Sequence, residues 1–135
     1  MITVETKYLG ELRAEARHVR SGITLVTDAP VDNQGKGEAF SPTDLLATSL
    51  GNCMMTLVGI AARTHNFKVN GTIIRITKIM AENPRRVSEV IVEFTFPERS
   101  YTDKEKTIIE NAARTCPVAR SLHPDLKQTI IFNYN

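Results

Sequence analysis

The stretch from Leu45 to Ala62 limits this chain's folds more than any other feature. It is almost continuously apolar and is preceded by Ser41-Pro42-Thr43-Asp44. Serine is a favoured N-cap, proline suits the first helical position, and an acid three residues after the cap resembles a capping box. Leu46, Leu50, Cys53, Leu57, Ile60 and Ala61 recur at three- and four-residue steps, and Ala47, Met54 and Val58 widen the stripe. The pattern predicts one long central helix, ending near Thr64 and buried on most sides. Gly51 and Gly59 each cost about 1 kcal/mol inside a helix, which makes sense if another backbone packs close to them. Thr48, Ser49, Asn52 and Thr56 interrupt the apolar run, and Asp44 stands just before it. Those polar residues favour a buried core helix over a membrane span.

Such a helix needs sheets to cover it, and the flanking sequence supplies strand patterns. Residues 2–9 and 12–19 read as two strands around Gly10-Glu11, with 22–27 as a third. In the second, Leu12, Ala14 and Ala16 alternate with Arg13, Glu15 and Arg17. From Asp28 to Phe40 the chain is rich in turn formers and reads as a loop long enough to suggest a functional role. Residues 69–80 and 87–96, divided by Asn83-Pro84-Arg85, read as a hairpin. Thr102-Asp103-Lys104-Glu105 then opens a second amphipathic helix, with Ile108, Ile109, Ala112 and Ala113 on its buried face. It should stop before Cys116-Pro117, because proline disfavours helix in the residue before it. Pro117 can begin a short helix to Leu122, and Thr129 to Phe132 reads as a closing strand. The order is that of an α+β fold with antiparallel sheets. At 135 residues, with no repeat and no linker, a single domain over 1–135 is expected.

Charge and composition narrow the partners. The net charge is +2, the basic residues are scattered apart from Arg85-Arg86, and there is no tryptophan to stack on bases. Nucleic acid is therefore not an expected partner, and neither is a membrane. The N-terminus lacks the basic-then-apolar order of a secretory signal. Two cysteines without such a signal point to the reducing cytoplasm, where paired thiols are more often catalytic or redox-sensing than structural.

Cys53 lies inside the central helix, and on position alone it reads most simply as a small core hydrophobe. Cys116 precedes a proline at a helix break, where it can cap the next helix, and a helix N-terminus stabilises thiolate. The two can meet only through tertiary folding. There is no CxxC, and His18, His65 and His123 are not at ligand spacing with either cysteine, so no metal is expected. A reactive thiolate benefits from a nearby guanidinium, for which Arg13, Arg17 and Arg20 are candidates. The competing reading of those arginines is a solvated strand face.

Ser41-Pro42-Thr43-Asp44-Leu45-Leu46, Leu50-Gly51-Asn52-Cys53 and Cys116-Pro117-Val118 together resemble the family of osmotically inducible protein C and the organic hydroperoxide resistance proteins. The resemblance covers nearly the whole chain. It implies an intertwined homodimer with active sites at the subunit interface, and a cofactor-free thiol peroxidase that prefers organic hydroperoxides. By that analogy Cys53 is the peroxidatic thiol, passing through a sulfenic acid, and Cys116 resolves it as a disulfide that an external dithiol reduces. Arg13 is the best match to the family's activating arginine. The peroxidase branches usually carry a glutamate directly after the helix-start proline, where it fixes the arginine by a salt bridge. This chain has Thr43 there, with Asp44 one position later and rotated by about 100° around the helix. Asp44 is a candidate replacement, although a capping box would occupy its carboxylate.

Two other readings stay open. One is a non-catalytic member that binds a small apolar ligand near Met54, Met55 and Phe40, or that senses redox state. The other is a thiol hydrolase, which requires His65 or His123 beside a thiol.

Overall fold

The computed structural model describes residues 1–97 and 99–134. The chain divides into two compact units, Met1–Leu46 and Ala47–Asn135.

The first unit is an antiparallel sheet in the order β1-β2-β3, made of β1 (Val4–Gly10), β2 (Arg13–His18) and β3 (Thr24–Asp28). The turn between β1 and β2 uses left-handed backbone at Gly10, Glu11 and Leu12, which reverses the chain in the fewest residues. The β2–β3 register sets Arg13 opposite Asp28. After β3 the chain makes a 3-10 turn at Val31–Asn33, and Gly35 and Gly37 donate backbone N–H bonds to the carbonyls of Pro30 and Ala29. Gly35 is obligatory in this arrangement, since a Cβ there would overlap the Ala29 carbonyl. Little of this unit is buried. Val4, Tyr8, Leu9, Leu12, Ile23 and Leu25 are all exposed, and its buried side chains are Asp28 and Ser41. The three expected strands are present, with ends displaced by one or two residues.

Helix α1 (Pro42–Thr64) begins in the first unit and continues through the second. Its length matches the expectation, but its burial is narrower. Ala47, Leu50, Gly51, Met54, Val58 and Ala62 form one buried stripe, while Cys53, Leu57 and Ala61 are half-buried and Ile60 is 55% exposed. The apolar residues therefore exceed what one sheet can cover. By length and composition alone α1 could cross a membrane, yet here Gly51 seats on Ile76 and Leu50, Met54 and Val58 are fully buried. The close neighbour of Gly51 is thus a side chain rather than a backbone. No atom lies within 4 Å of a Cβ built on Gly59.

The second unit holds a sheet in the order β4-β5-β6, of β4 (Ile73–Ala81), β5 (Arg86–Thr95) and β6 (Lys127–Asn133). β4 and β5 form the expected antiparallel hairpin across Asn83-Pro84, whose peptide bond is cis. β6 departs from expectation by pairing parallel to β5. The reason is the crossover: α2 (Asp103–Ala113) and α3 (Pro117–Ser121) return the chain to the starting end of β5 before β6 begins. Thr102 caps α2 in a full capping box with Glu105. Val90, Val92, Phe94 and Phe96 of β5 and its extension join Ile109 and Ala113 in the core. Stacked rings continue it outward, Phe94 on Phe132 at 5.3 Å and Phe96 on Tyr134 at 5.0 Å.

Candidate active site: a thiol pair and a clamped arginine

Cys53 sits on the flank of the buried stripe of α1, one position before Met54, and is half-buried. Cys116 is the N-cap of α3 and is fully buried. Its sulfur accepts the Ala119 N–H at 3.4 Å and approaches the Leu50 carbonyl at 4.0 Å. The second unit folds so that α3 starts against the middle of α1, which brings the Cys116 thiol beside Cys53. Both are free, with no disulfide between them.

The capping geometry at Cys116 is as expected from Cys116-Pro117, but its electrostatic outcome is not. Burial pushes the Cys116 thiol above its ordinary value, and the neighbouring Cys53 thiol adds to that. The N–H groups of Ala119 and Val118 pull the other way and lose. Desolvation disfavours the charged form throughout a buried site, whereas two N–H dipoles on a helix of one and a half turns offset only part of it. Cys116 is therefore held as a neutral thiol.

Arg13 anchors the first unit's chemistry. Its Nε donates to Asp28 Oδ1 at 2.7 Å and its Nη2 to Asp28 Oδ2 at 2.8 Å, a bidentate pair between strands in register. Nη2 also donates to Glu38 Oε1 at 3.1 Å, and the Glu38 backbone N–H donates to Asp28 Oδ2 at 3.1 Å. The Asp28 carboxyl, only 1% exposed, lies below its ordinary value of 3.8, chiefly through its hydrogen bonds from Arg13. Arg17 is instead exposed and pairs with Glu5 at 3.5 Å. Arg20 is exposed too. Among the three candidate arginines, Arg13 is the one held in a fixed, partly buried setting.

Asp44 occupies the helix cap: Oδ2 accepts the Ser41 N–H at 3.0 Å, and the Asp44 N–H donates to Ser41 Oγ at 3.0 Å. Its carboxylate is thus engaged as the capping-box reading required. The Thr43 hydroxyl lies 3.2 Å from Ser41 Oγ. Asp28 and Glu38 escaped the sequence reading, although Asp28 fell in the loop marked for a functional role. Their signal was there: two acids in a glycine-rich loop that follows a strand adjacent to Arg13. It becomes readable only once the β2–β3 register is known.

Among the described residues, neither His65 nor His123 hydrogen-bonds a thiol; the His123 ring accepts the Asp125 N–H at 3.0 Å. Nor do the described residues include any group of three or more His, Cys, Asp or Glu side chains placed to hold a metal ion.

A helix-embedded cysteine thus lies beside a second cysteine that caps a later helix. The family of OsmC-like proteins matches residues 35–130, which include both thiols. The chain belongs to the OsmC-like family. It is 53% identical to a Psychrobacter arcticus 273-4 protein described as a candidate osmotic stress induced and detoxification response protein. That similarity covers 98% of this chain and 96% of the other, with a TM-score of 0.94. More distant structures share the OsmC-like fold. An organic hydroperoxide resistance protein OsmC from Legionella pneumophila is 13% identical, with 98% of each chain covered and a TM-score of 0.76. One from Elizabethkingia anophelis is 15% identical, covering 100% of this chain and 98% of that one, also at 0.76. No curated protein matches the chain.

Proposed function

We propose that this protein is a thiol-dependent peroxidase that reduces organic hydroperoxides. The observation that carries the reading is the contact between the Cys53 and Cys116 thiols, one half-buried and one fully buried. A partly accessible nucleophile with a protected partner is the arrangement that two-step thiol oxidation needs. In the first step the Cys53 thiolate attacks the terminal oxygen of ROOH. The O–O bond breaks, the alkoxide takes a proton and leaves as ROH, and Cys53 becomes a sulfenic acid. In the second step the Cys116 sulfur attacks the sulfenic sulfur. Water leaves, a Cys53–Cys116 disulfide forms, and an external dithiol returns both thiols by exchange.

Arg13 is the activating cation in this reading. A guanidinium favours thiolate and can donate to a peroxide oxygen. The names of the distant relatives, organic hydroperoxide resistance proteins, support the choice of substrate class. Two features support a homodimer: the exposed apolar residues of the first unit, and the flank of α1 around Ile60 that its own unit leaves uncovered. A second copy of the chain would cover both.

The deciding experiment is stopped-flow oxidation of the reduced protein by cumene hydroperoxide and by hydrogen peroxide, followed by thiol counting. Loss of two thiols, faster with the organic peroxide, is expected. Slow and unselective loss would reject catalysis in favour of ligand binding or redox sensing.

A further inference from the structure

The family resemblance of the sequence implies an activating arginine fixed by a glutamate at the start of the long helix. Here that position is Thr43, and the next acid, Asp44, is bound at the helix cap. An arginine with nothing to orient it would be a poor donor, because a free side chain must be immobilised for each encounter. Arg13 is nonetheless oriented, and from a different side of the fold.

We propose that Asp28, assisted by Glu38, is the positioning residue for Arg13, replacing the helix-start glutamate with a carboxylate from the neighbouring strand. This rests on the reading of Cys53 and Arg13 given above. Three observations carry it. Arg13 and Asp28 are register partners on β2 and β3, so the sheet's own hydrogen bonds fix their separation. The pair is bidentate, which sets the plane of the guanidinium as well as its distance. The Asp28 carboxylate also accepts the Glu38 N–H, and this ties the loop to the same oxygen that Arg13 uses. Closure of that loop depends on Gly35, whose missing Cβ makes room for the Ala29 carbonyl.

The consequence is chemical. Asp28 and Glu38 occupy Nε and Nη2, which leaves Nη1 as the guanidinium edge with no partner among the described residues. The Arg13 side chain is 30% exposed, so that edge is the part available to a peroxide oxygen. Arg13 and Asp28 are partners within one sheet, so their pairing does not depend on where α1 stands. The Arg13 plane should therefore persist when Cys53 is oxidised.

The test compares wild type, Asp28→Asn, Arg13→Ala and the double variant for Cys53 oxidation by cumene hydroperoxide. Alkylation by iodoacetamide serves as a control for fold and thiol access. Asp28→Asn should slow peroxide oxidation by roughly 10- to 100-fold, as removal of an orienting partner does elsewhere, while alkylation changes little. It should add nothing in the Arg13→Ala background, and Thr43→Glu should not restore the rate. A fast wild type, a slow Arg13→Ala and an Asp28→Asn variant as fast as wild type would overturn the proposal. Additive losses in the double variant would do so too. A wild type that cumene hydroperoxide oxidises slowly would instead remove the underlying reading, and the proposal with it. Should Asp28→Asn fail to fold, the Arg13 Nε proton decides on wild type alone. Slow exchange with solvent is expected in both the reduced and the disulfide forms, and free exchange in either overturns the clamp.

Discussion

At the scale of single residues, the proposed peroxidase divides the work between its two thiols by burial. Replacing Cys53 with serine is expected to abolish peroxide turnover. Replacing Cys116 with serine should allow one round of oxidation, after which Cys53 passes to the sulfinic acid with no thiol to trap the sulfenate. Intact-mass spectrometry after peroxide addition distinguishes the two, since the second variant gains two oxygens on one cysteine. The perturbed groups also set the pH dependence of stability. Asp28 titrates below its ordinary 3.8 in the folded chain, so its contribution is full above that value. It is lost as pH falls through the lower native value. Urea midpoints of wild type should therefore drop more steeply than those of Asp28→Asn as pH falls below 3.8. Cys116 has the opposite sign. Its thiol is raised above 9.0 by burial, so the contribution is present below that value and fades as pH rises beyond it. Cys116→Ser should flatten the alkaline limb accordingly.

At the scale of elements, α1 and α2 illustrate different sources of order. α2 is short and its N-terminus is set by local chemistry, the reciprocal bonds of Thr102 and Glu105. Thr102→Ala should cost about 1 kcal/mol, measured as a shift in urea midpoint at constant slope. α1 is placed by packing. A Cβ on Gly51 would stand 2.5 Å from the Cδ1 atom of Ile76, so Gly51→Val overpacks the helix–sheet contact. The expected loss is about 1–3 kcal/mol. Ile76→Val, which removes that Cδ1 atom, should recover part of it, and the two changes should be non-additive in a double-mutant cycle. Additive losses would mean that the valine disturbs something other than Ile76.

At the scale of the whole molecule, the apolar surface is distributed in a way that one chain does not satisfy. The first unit has a three-stranded sheet with Tyr8, Leu9, Leu12 and Leu25 exposed, and a sheet of that size is marginal without a packed face. The proposed homodimer should sediment at twice the chain mass of 15.1 kDa. Ile60→Glu should shift it toward the monomer, because a dimer that covers this exposed flank of α1 would have to bury the new charge. A wild-type chain that sediments as a monomer at all concentrations would reject the dimer.

Local rules determined much of this protein in advance. The cap at Ser41 and Asp44, the span of α1, the hairpin of β4 and β5, the capping box of α2 and the helix start at Cys116 all follow from neighbours a few residues apart. They were legible because caps, turns and periodicity are short-range physics. Pairing and direction were not. That β6 runs parallel to β5 was decided by the crossover through α2 and α3, and no strand carries its partner's orientation in its own residues. The contact of Cys53 with Cys116 depends on where α3 docks, and the rise of the Cys116 thiol depends on how much water that docking removes. Resemblance had favoured Arg13 among three arginines, but its clamp came from register, which set Asp28 opposite it while Arg17 and Arg20 stayed exposed. The sequence by itself determined which residues could be reactive and which segments would be helix or strand. Only the tertiary structure decided which charges face each other and which thiol is dry, because both are set by contacts between residues distant in the chain.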